Sequence, residues 1–172
     1  MNYHEKRIIM TSAIGFGVTI AYIIFAISTY NLGSVESLSL KFWAIRMLIF
    51  IGIGVGAIII GMIFFHIFYS IYLAIKLKRE NSSLSDKEIE REIKSIIRSD
   101  AIEDEMEKLI QLKSARIGFA LTGFGFVLAL LALVFDYSGV VMLNIMFVSF
   151  SFGSAIEGLV QLYYHKKGIH HA

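Results

Sequence analysis

The sequence predicts an all-α, polytopic membrane protein with four transmembrane helices and a cytoplasmic amphipathic helical insertion. Of the 172 residues, 56% are hydrophobic and only 17% are charged, and the mean hydropathy is +0.70. A soluble domain usually carries about 25% charged residues. The apolar residues fall into four long runs, and most of the charge lies in one segment between the second and third runs. These observations together predict the fold class.

The N-terminal membrane hairpin covers residues 1–76 and contains two predicted spans. The first, 8–29, has no charged residue. An apolar run near the N-terminus also occurs in signal peptides, but this run exceeds their usual ~7–15-residue core, which favours a retained span. The second, 43–75, exceeds the about 20 residues that cross a bilayer as a helix. Its length and its glycines predict that it is the packing centre of the bundle.

Residues 77–115 form the predicted cytoplasmic helical segment. Ser85 with Glu88 is a typical helix start signal, and we expect two amphipathic helices, or one helix broken near Ser99 and Asp100. Apolar residues at helical spacing form a stripe that the bilayer surface, a helical hairpin or a partner protein would cover. The candidate partner surface consists of Ile89, Ile93, Ile97, Met106 and Ile110.

The C-terminal membrane hairpin covers residues 116–172. Its predicted spans are 117–135 and 140–164, with a tight turn between them, and a short basic tail follows the second.

The distribution of basic residues predicts the orientation in the membrane. Fourteen of the 16 Lys and Arg residues lie at the N-terminus, in the middle segment or in the tail, and only Lys41 and Arg46 lie on the other side. The positive-inside rule therefore places both termini and the middle segment in the cytoplasm. The net charge of +2 is too small to indicate a nucleic-acid partner. The expected surroundings are the lipid bilayer of a cell membrane.

The two hairpins resemble each other in sequence. Residues 13–22, AIGFGVTIAY, align with residues 121–130, LTGFGFVLAL. One interpretation is a 2+2 internal repeat of parallel hairpins. The other is that any two apolar helices rich in glycine, phenylalanine and isoleucine align somewhere.

Small residues spaced four apart let helix backbones approach closely in lipid. Such pairs are expected to pack helices within the chain, with homo-oligomer formation as the alternative. The candidate packing residues are Gly52, Gly56, Gly61, Gly153 and Gly158.

Glu157 is the only acidic residue well inside a predicted span. Ionisable groups at this depth are candidates for function. His66 and Glu157 are each expected roughly 14–15 Å from the cytoplasmic boundary, which would allow a hydrogen bond or ion pair between them. Gln161 and Asn144 would extend this intramembrane polar site. These residues would form either a proton-responsive or cation-binding site, or a polar contact that holds the helices in register.

The chain has no cysteine, and no phosphate-binding loop, metalloprotease motif or nucleophile constellation is found in its sequence. We therefore expect a non-enzymatic protein without cofactor or metal. The leading prediction is that it binds or regulates a partner protein through the middle segment. The alternative is a small proton- or cation-linked transporter or channel that uses His66 and Glu157.

Several short motifs lie in the second half of the chain, over roughly residues 100–168. The main ones are Leu109-Ile110-Gln111-Leu112-Lys113 before one span and Gln161-Leu162-Tyr163-Tyr164 at the end of the next. In these motifs the chain resembles a group of small, uncharacterised bacterial four-helix membrane proteins. The resemblance implies a bacterial inner-membrane protein and implies no activity.

Overall fold

The computed structural model describes residues 3–31, 39–80, 86–101 and 105–167. Over these ranges the chain is helical and contains no strand. The helices are α1 (Tyr3–Asn31), α2 (Leu40–Glu80), α3 (Asp86–Ala101), α4 (Glu105–Val134) and α5 (Gly139–Lys167). All except α3 are long and apolar enough to cross a membrane. The predicted all-α class is confirmed over these ranges, and four of the helices are long and apolar enough to span a membrane. The expected cap at Ser85 and the end of the tail lie outside the described residues.

The four long helices run alternately up and down. Tyr3 at the start of α1 contacts His66 in the second half of α2, and Glu107 at the start of α4 contacts His165 at the end of α5. We call this the basal end of the bundle. The other end, where α4 turns into α5, is the apical end. Helix α3 packs on α1 and α2.

A short turn at the apical end joins α4 to α5. Asp136 adopts a left-handed backbone conformation with φ of 60°, which asparagine and aspartate tolerate better than most residues. The Asp136 amide donates to the Leu133 carbonyl at 3.1 Å, and the Tyr137 amide donates to the Ala132 carbonyl at 2.9 Å. These two bonds satisfy carbonyls at the end of α4 in the manner of a Schellman cap. The turn is therefore tight, as predicted, and limits how α5 can slide along α4.

Helices α4 and α5 make the most extensive contact in the bundle. A Cβ atom added to Gly118 would lie 2.9 Å from the Gly153 carbonyl oxygen, and one added to Gly125 would collide with the Ser149 side chain. Two other positions are similarly crowded: Gly153 lies against Thr122, and Gly158 lies against Ser12 of α1. Backbone-to-backbone approach at small residues is the usual way in which helices associate in lipid.

Helix α2 lies at the edge of the bundle, and its most apolar stretch is not buried inside the protein. Gly61 contacts Ile14 and Met10 of α1, whereas a Cβ atom at Gly52 or Gly56 would meet nothing within 4 Å. The expectation that this span is the packing centre is therefore wrong. Its hydrophobicity suits contact with lipid as well as contact with protein, so it did not indicate a central position.

Near the apical end, a small core surrounds Tyr22, which is fully buried together with Trp43. Phe50 and Phe147 pack on the Tyr22 ring with centroid distances of 5.2 and 4.2 Å. The Tyr22 hydroxyl donates a hydrogen bond to Asn144 Oδ1 at 2.7 Å. Aromatic packing and one polar contact thus tie α1, α2 and α5 together.

The residues of the candidate partner surface differ widely in how far they are buried. Ile89 of α3 and Ile110 of α4 are 6% and 4% exposed, so both are buried within the protein. Ile93 and Ile97 are half-buried, and only Met106 is exposed. On the outer face of α3, Lys94 donates a 2.6 Å hydrogen bond to Glu90 and thereby lowers the pKa of that carboxyl.

The two hairpins differ in how they pack. Contact between α1 and α2 is much less extensive than contact between α4 and α5. Gly125 meets Ser149, whereas its sequence counterpart Gly17 has no neighbour within 4 Å of an added Cβ atom. The internal repeat remains a prediction from the sequence.

We expect Gly125→Ala to lower the free energy of unfolding by about 1–3 kcal/mol, because the new methyl group collides with Ser149. Gly123→Ala is the matched control: an added Cβ atom there meets nothing within 4 Å, so the change should be neutral or slightly stabilising. Unfolding in detergent, followed by circular dichroism, compares the two. Equal effects would show that the α4–α5 contact is not this close.

Candidate intramembrane and basal sites

Glu157 lies on α5 at the closest approach of α4. A Cβ atom built on Gly118 would be 3.0 Å from Glu157 Cβ and 3.2 Å from its Oε2 atom. Gln161, one helical turn further along α5, donates from Nε2 to Glu157 Oε1 at 3.5 Å. The glycine thus makes room for the carboxylate between two closely packed helices, and the amide orients one of its oxygens.

Two hollows border the Glu157 side chain. One has a volume of about 200 Å³ and lies between α1, α2 and α5; its polar lining residues are Thr11, Ser12, Ser154, Glu157 and Gln161. The other is a groove of about 490 Å³ between α4 and α5, and Arg116 lines it together with Glu157. The carboxylate therefore faces space on both sides of α5 instead of being enclosed by packed side chains.

The structure does not bring His66 to Glu157. The Tyr3 hydroxyl lies 3.3 Å from His66 Nδ1 and 3.2 Å from His66 Nε2, and no hydrogen bond or ion pair joins His66 to Glu157 in the described residues. Gly158, next to Glu157, packs on Ser12, which lies nine residues after Tyr3 on α1. His66, at the level of Tyr3, and Glu157, at the level of Ser12, therefore lie about 13 Å apart along the bundle axis. Lys76 and Lys166, which follow the two apolar runs, therefore do not lie at the same level of the bundle.

Asn144 is also separate from Glu157. It accepts the hydrogen bond from Tyr22 and donates from Nδ2 to the Val140 carbonyl at 2.8 Å. Thirteen residues of helix place it about 20 Å from Glu157 along α5. Of the four residues predicted to form one polar site, only Glu157 and Gln161 are in contact.

At the basal end, three titratable side chains from three helices meet in what we call the basal cluster: His4 of α1, Glu107 of α4 and His165 of α5. Glu107 Oε1 lies 3.6 Å from His4 Nδ1, and Glu107 Oε2 lies 3.1 Å from His165 Nε2. The side chains of Glu107, His4 and His165 are 9%, 13% and 14% exposed. One carboxylate is therefore held between two imidazoles with little access to solvent.

Two ring nitrogens of the basal cluster, His4 Nδ1 and His165 Nε2, are buried without a hydrogen bond of good geometry to any described residue. The same holds for the hydroxyl of Ser114, seven residues after Glu107 on α4. Burying a polar atom without a hydrogen bond costs about 1–3 kcal/mol. Among the described side chains, these three are the buried polar atoms that lack a hydrogen bond.

Sequence reasoning missed the basal cluster because His4 and His165 stand in short polar termini and Glu107 in a segment of balanced charge. A signal was present in α4. Glu107 shares one helical face with a row of small residues, and this is the face that packs in the bundle: Ser114, Gly118, Gly125, Ala129 and Ala132. A carboxylate on such a face is expected to be buried.

Within the described ranges, no group of three or more His, Cys, Asp or Glu side chains is placed to hold a metal ion. Comparison with known proteins finds no matching family model, no matching curated protein and no matching solved structure. Inferences about function therefore come from the geometry of these sites.

We expect Glu107→Ala to destabilise the protein by about 1–3 kcal/mol, because two buried imidazoles then face each other without the carboxylate between them. Glu105→Ala provides the control, since Glu105 lies two residues earlier on α4 and is exposed. Thermal unfolding in detergent at neutral pH measures both. A Glu107→Ala protein as stable as the Glu105→Ala protein would show that the cluster contributes nothing to stability.

Proposed function

We propose that this is a non-enzymatic, proton-linked membrane protein in which Glu157 binds and releases a proton inside the bundle. The observation that carries the proposal is the position of Glu157, which borders a polar-lined hollow of about 200 Å³ between three helices. An ionised carboxylate is costly at membrane depth, and such groups typically mark ion and proton pathways.

The surroundings of Glu157 suit a proton better than a larger ligand. The hydroxyls of Thr11, Ser12 and Ser154 line the same hollow and can each donate or accept a hydrogen bond. A hollow of this size exceeds the roughly 10–15 Å³ that one water molecule needs. Gln161, a neutral amide, donates a hydrogen bond to the carboxylate. Arg116 lines the groove on the other side of α5.

The proposal includes the orientation and location expected from the sequence. The positive-inside rule supports a cytoplasmic basal end, and the resemblance to small bacterial proteins supports a bacterial inner membrane. We also propose that the two membrane hairpins are an internal repeat and that the helical segment between them is an amphipathic cytoplasmic insertion. A homo-oligomer, if formed, would use the open glycines Gly52 and Gly56 of α2.

Exposed apolar side chains at the base of α4 favour a second candidate function, binding of a partner protein. Met106, Leu109 and Leu112 are 51%, 36% and 58% exposed and follow one another at three-residue spacing. This strip differs from the predicted partner surface, in which Ile89 and Ile110 are buried.

We expect a photo-crosslinking amino acid at Met106 or Leu112 to give one adduct of defined mass in native membranes. The same amino acid at Lys108, an exposed polar position of α4, serves as the control and should give none. Electrophoresis of the irradiated membranes detects the adduct. Equal crosslinking from all three positions, or none, would remove the partner-binding candidate.

For the proton-linked function, we expect Glu157→Gln to slow proton movement at least tenfold, because an amide of the same shape cannot bind and release a proton. The measurement uses purified protein in lipid vesicles with a trapped pH-sensitive dye and an external acid pulse. Glu105→Gln removes an exposed acid and should keep the wild-type rate. A wild-type rate equal to that of empty vesicles, or an unchanged rate in Glu157→Gln, would contradict the function.

A further inference from the structure

We propose that His4, Glu107 and His165 form a second proton-binding site, which exchanges protons with water at the basal end and passes them to Glu157. The inference rests on the proposed function of Glu157 and adds the route by which its proton arrives. It gives His4, at the start of α1, and His165, near the end of α5, a direct role in proton transfer.

The geometry of the basal cluster is that of a shared-proton site. The two carboxylate oxygens of Glu107 each face a ring nitrogen, at 3.6 Å for His4 and 3.1 Å for His165. Both nitrogens are buried and lack a hydrogen bond to any described residue. A proton placed on either nitrogen, with a small side-chain adjustment, would create a charge-assisted hydrogen bond to the carboxylate. The site is therefore arranged to accept a proton and remain buried.

Tyr3 and Lys6, the neighbours of His4 on α1, both contact side chains of α2. On α1, the Tyr3 ring packs edge-on against His4 at 5.8 Å, and its hydroxyl contacts His66 of α2. The Lys6 ammonium lies over the rings of Tyr69 and Tyr72, at 5.4 and 4.9 Å from their centroids. The ion pairs described for Glu107 are those with His4 and His165. A histidine side chain, unlike a lysine or an arginine, serves readily as both a proton donor and a proton acceptor.

Polar side chains lead from the basal cluster towards Glu157. Glu157 lies eight residues before His165 on α5, about 12 Å along the helix. On α5, Gln161 lies halfway between the two and contacts Glu157. On α4, the buried Ser114 lies between Glu107 and Gly118, and Gly118 packs against Glu157. The polar-lined hollow, which Ser12 and Thr11 also line, extends over the part of this distance nearest to Glu157. The route is short enough for hydroxyls and a few water molecules to span.

The transfer conserves protons and charge. A proton from basal water binds His165 Nε2 and is shared with Glu107. The N–H bond at His165 then breaks, each hydroxyl or water along the route accepts one proton and releases another, and an O–H bond forms on Glu157. The cluster returns to one carboxylate and two neutral imidazoles, and Glu157 becomes neutral. No oxidant, reductant or metal is required.

The test measures proton movement into vesicles for His165→Ala and Glu107→Gln. Both are expected to be at least tenfold slower than the wild type. Imidazole added to the buffer should restore His165→Ala towards the wild-type rate, since it can enter the space left by the missing ring and carry the proton. A purely structural histidine would not be replaced in this way. Imidazole also leaks across lipid, so the rate of Glu157→Gln vesicles with imidazole is subtracted.

Two controls match these variants. His66→Ala removes a histidine at the same level of the bundle that contacts Tyr3 instead of Glu107, and Glu105→Gln removes the neighbouring exposed acid; both should keep the wild-type rate. If Glu157→Gln is slow but His165→Ala and Glu107→Gln are not, the relay is overturned and the function of Glu157 stands. If imidazole fails to restore His165→Ala, the relay is likewise overturned. If wild-type vesicles conduct no faster than empty ones, the proposed function itself fails.

Discussion

The close contact between α4 and α5 is the constraint on which the rest of the structure depends. The turn at Asp136 fixes where α5 begins, and glycines at 118, 125 and 153 let the two backbones approach along their length. This register places Glu107 beside His165 at the basal end and Glu157 beside Gly118 nearer the middle. A shift of one residue would rotate each side chain by about 100° and separate both pairs. Packing and candidate chemistry therefore depend on the same contact.

Small and polar residues, more than hydrophobic ones, determine which helices of this bundle pack most closely together. Helix α2 is the most hydrophobic of the four spans and is the least buried, whereas α5 carries serines, a glutamate and a glutamine and contacts three other helices. In lipid, an isoleucine gains little by exchanging lipid contacts for protein contacts. Small residues gain close approach, and polar residues gain hydrogen bonds that lipid cannot offer. The polar side chains of α5 thus serve both assembly and the proposed proton route.

The spans and the turn at Asp136 could be predicted from the sequence because length, hydropathy and turn chemistry act locally. The pairing of side chains between helices could not, because it depends on register. His66 and Glu157 stand at similar distances from basic residues in the sequence, but α2 and α5 pack at different levels, and His66 contacts Tyr3 at the basal end. Conversely, Glu107 looked like one of many solvated charges. Only the row of small residues on its helical face indicated that it is buried.

The central claim is that Glu157, within the bundle, takes up a proton from water. Infrared difference spectroscopy of the protein in lipid vesicles, comparing acidic with alkaline buffer, tests it most directly. Protonation of a carboxylate produces the carbonyl stretch of a carboxylic acid. The account predicts such a band in the wild type, its loss in Glu157→Gln, and its retention in Glu105→Gln. A difference spectrum that is the same in the wild type and in Glu157→Gln would contradict the account.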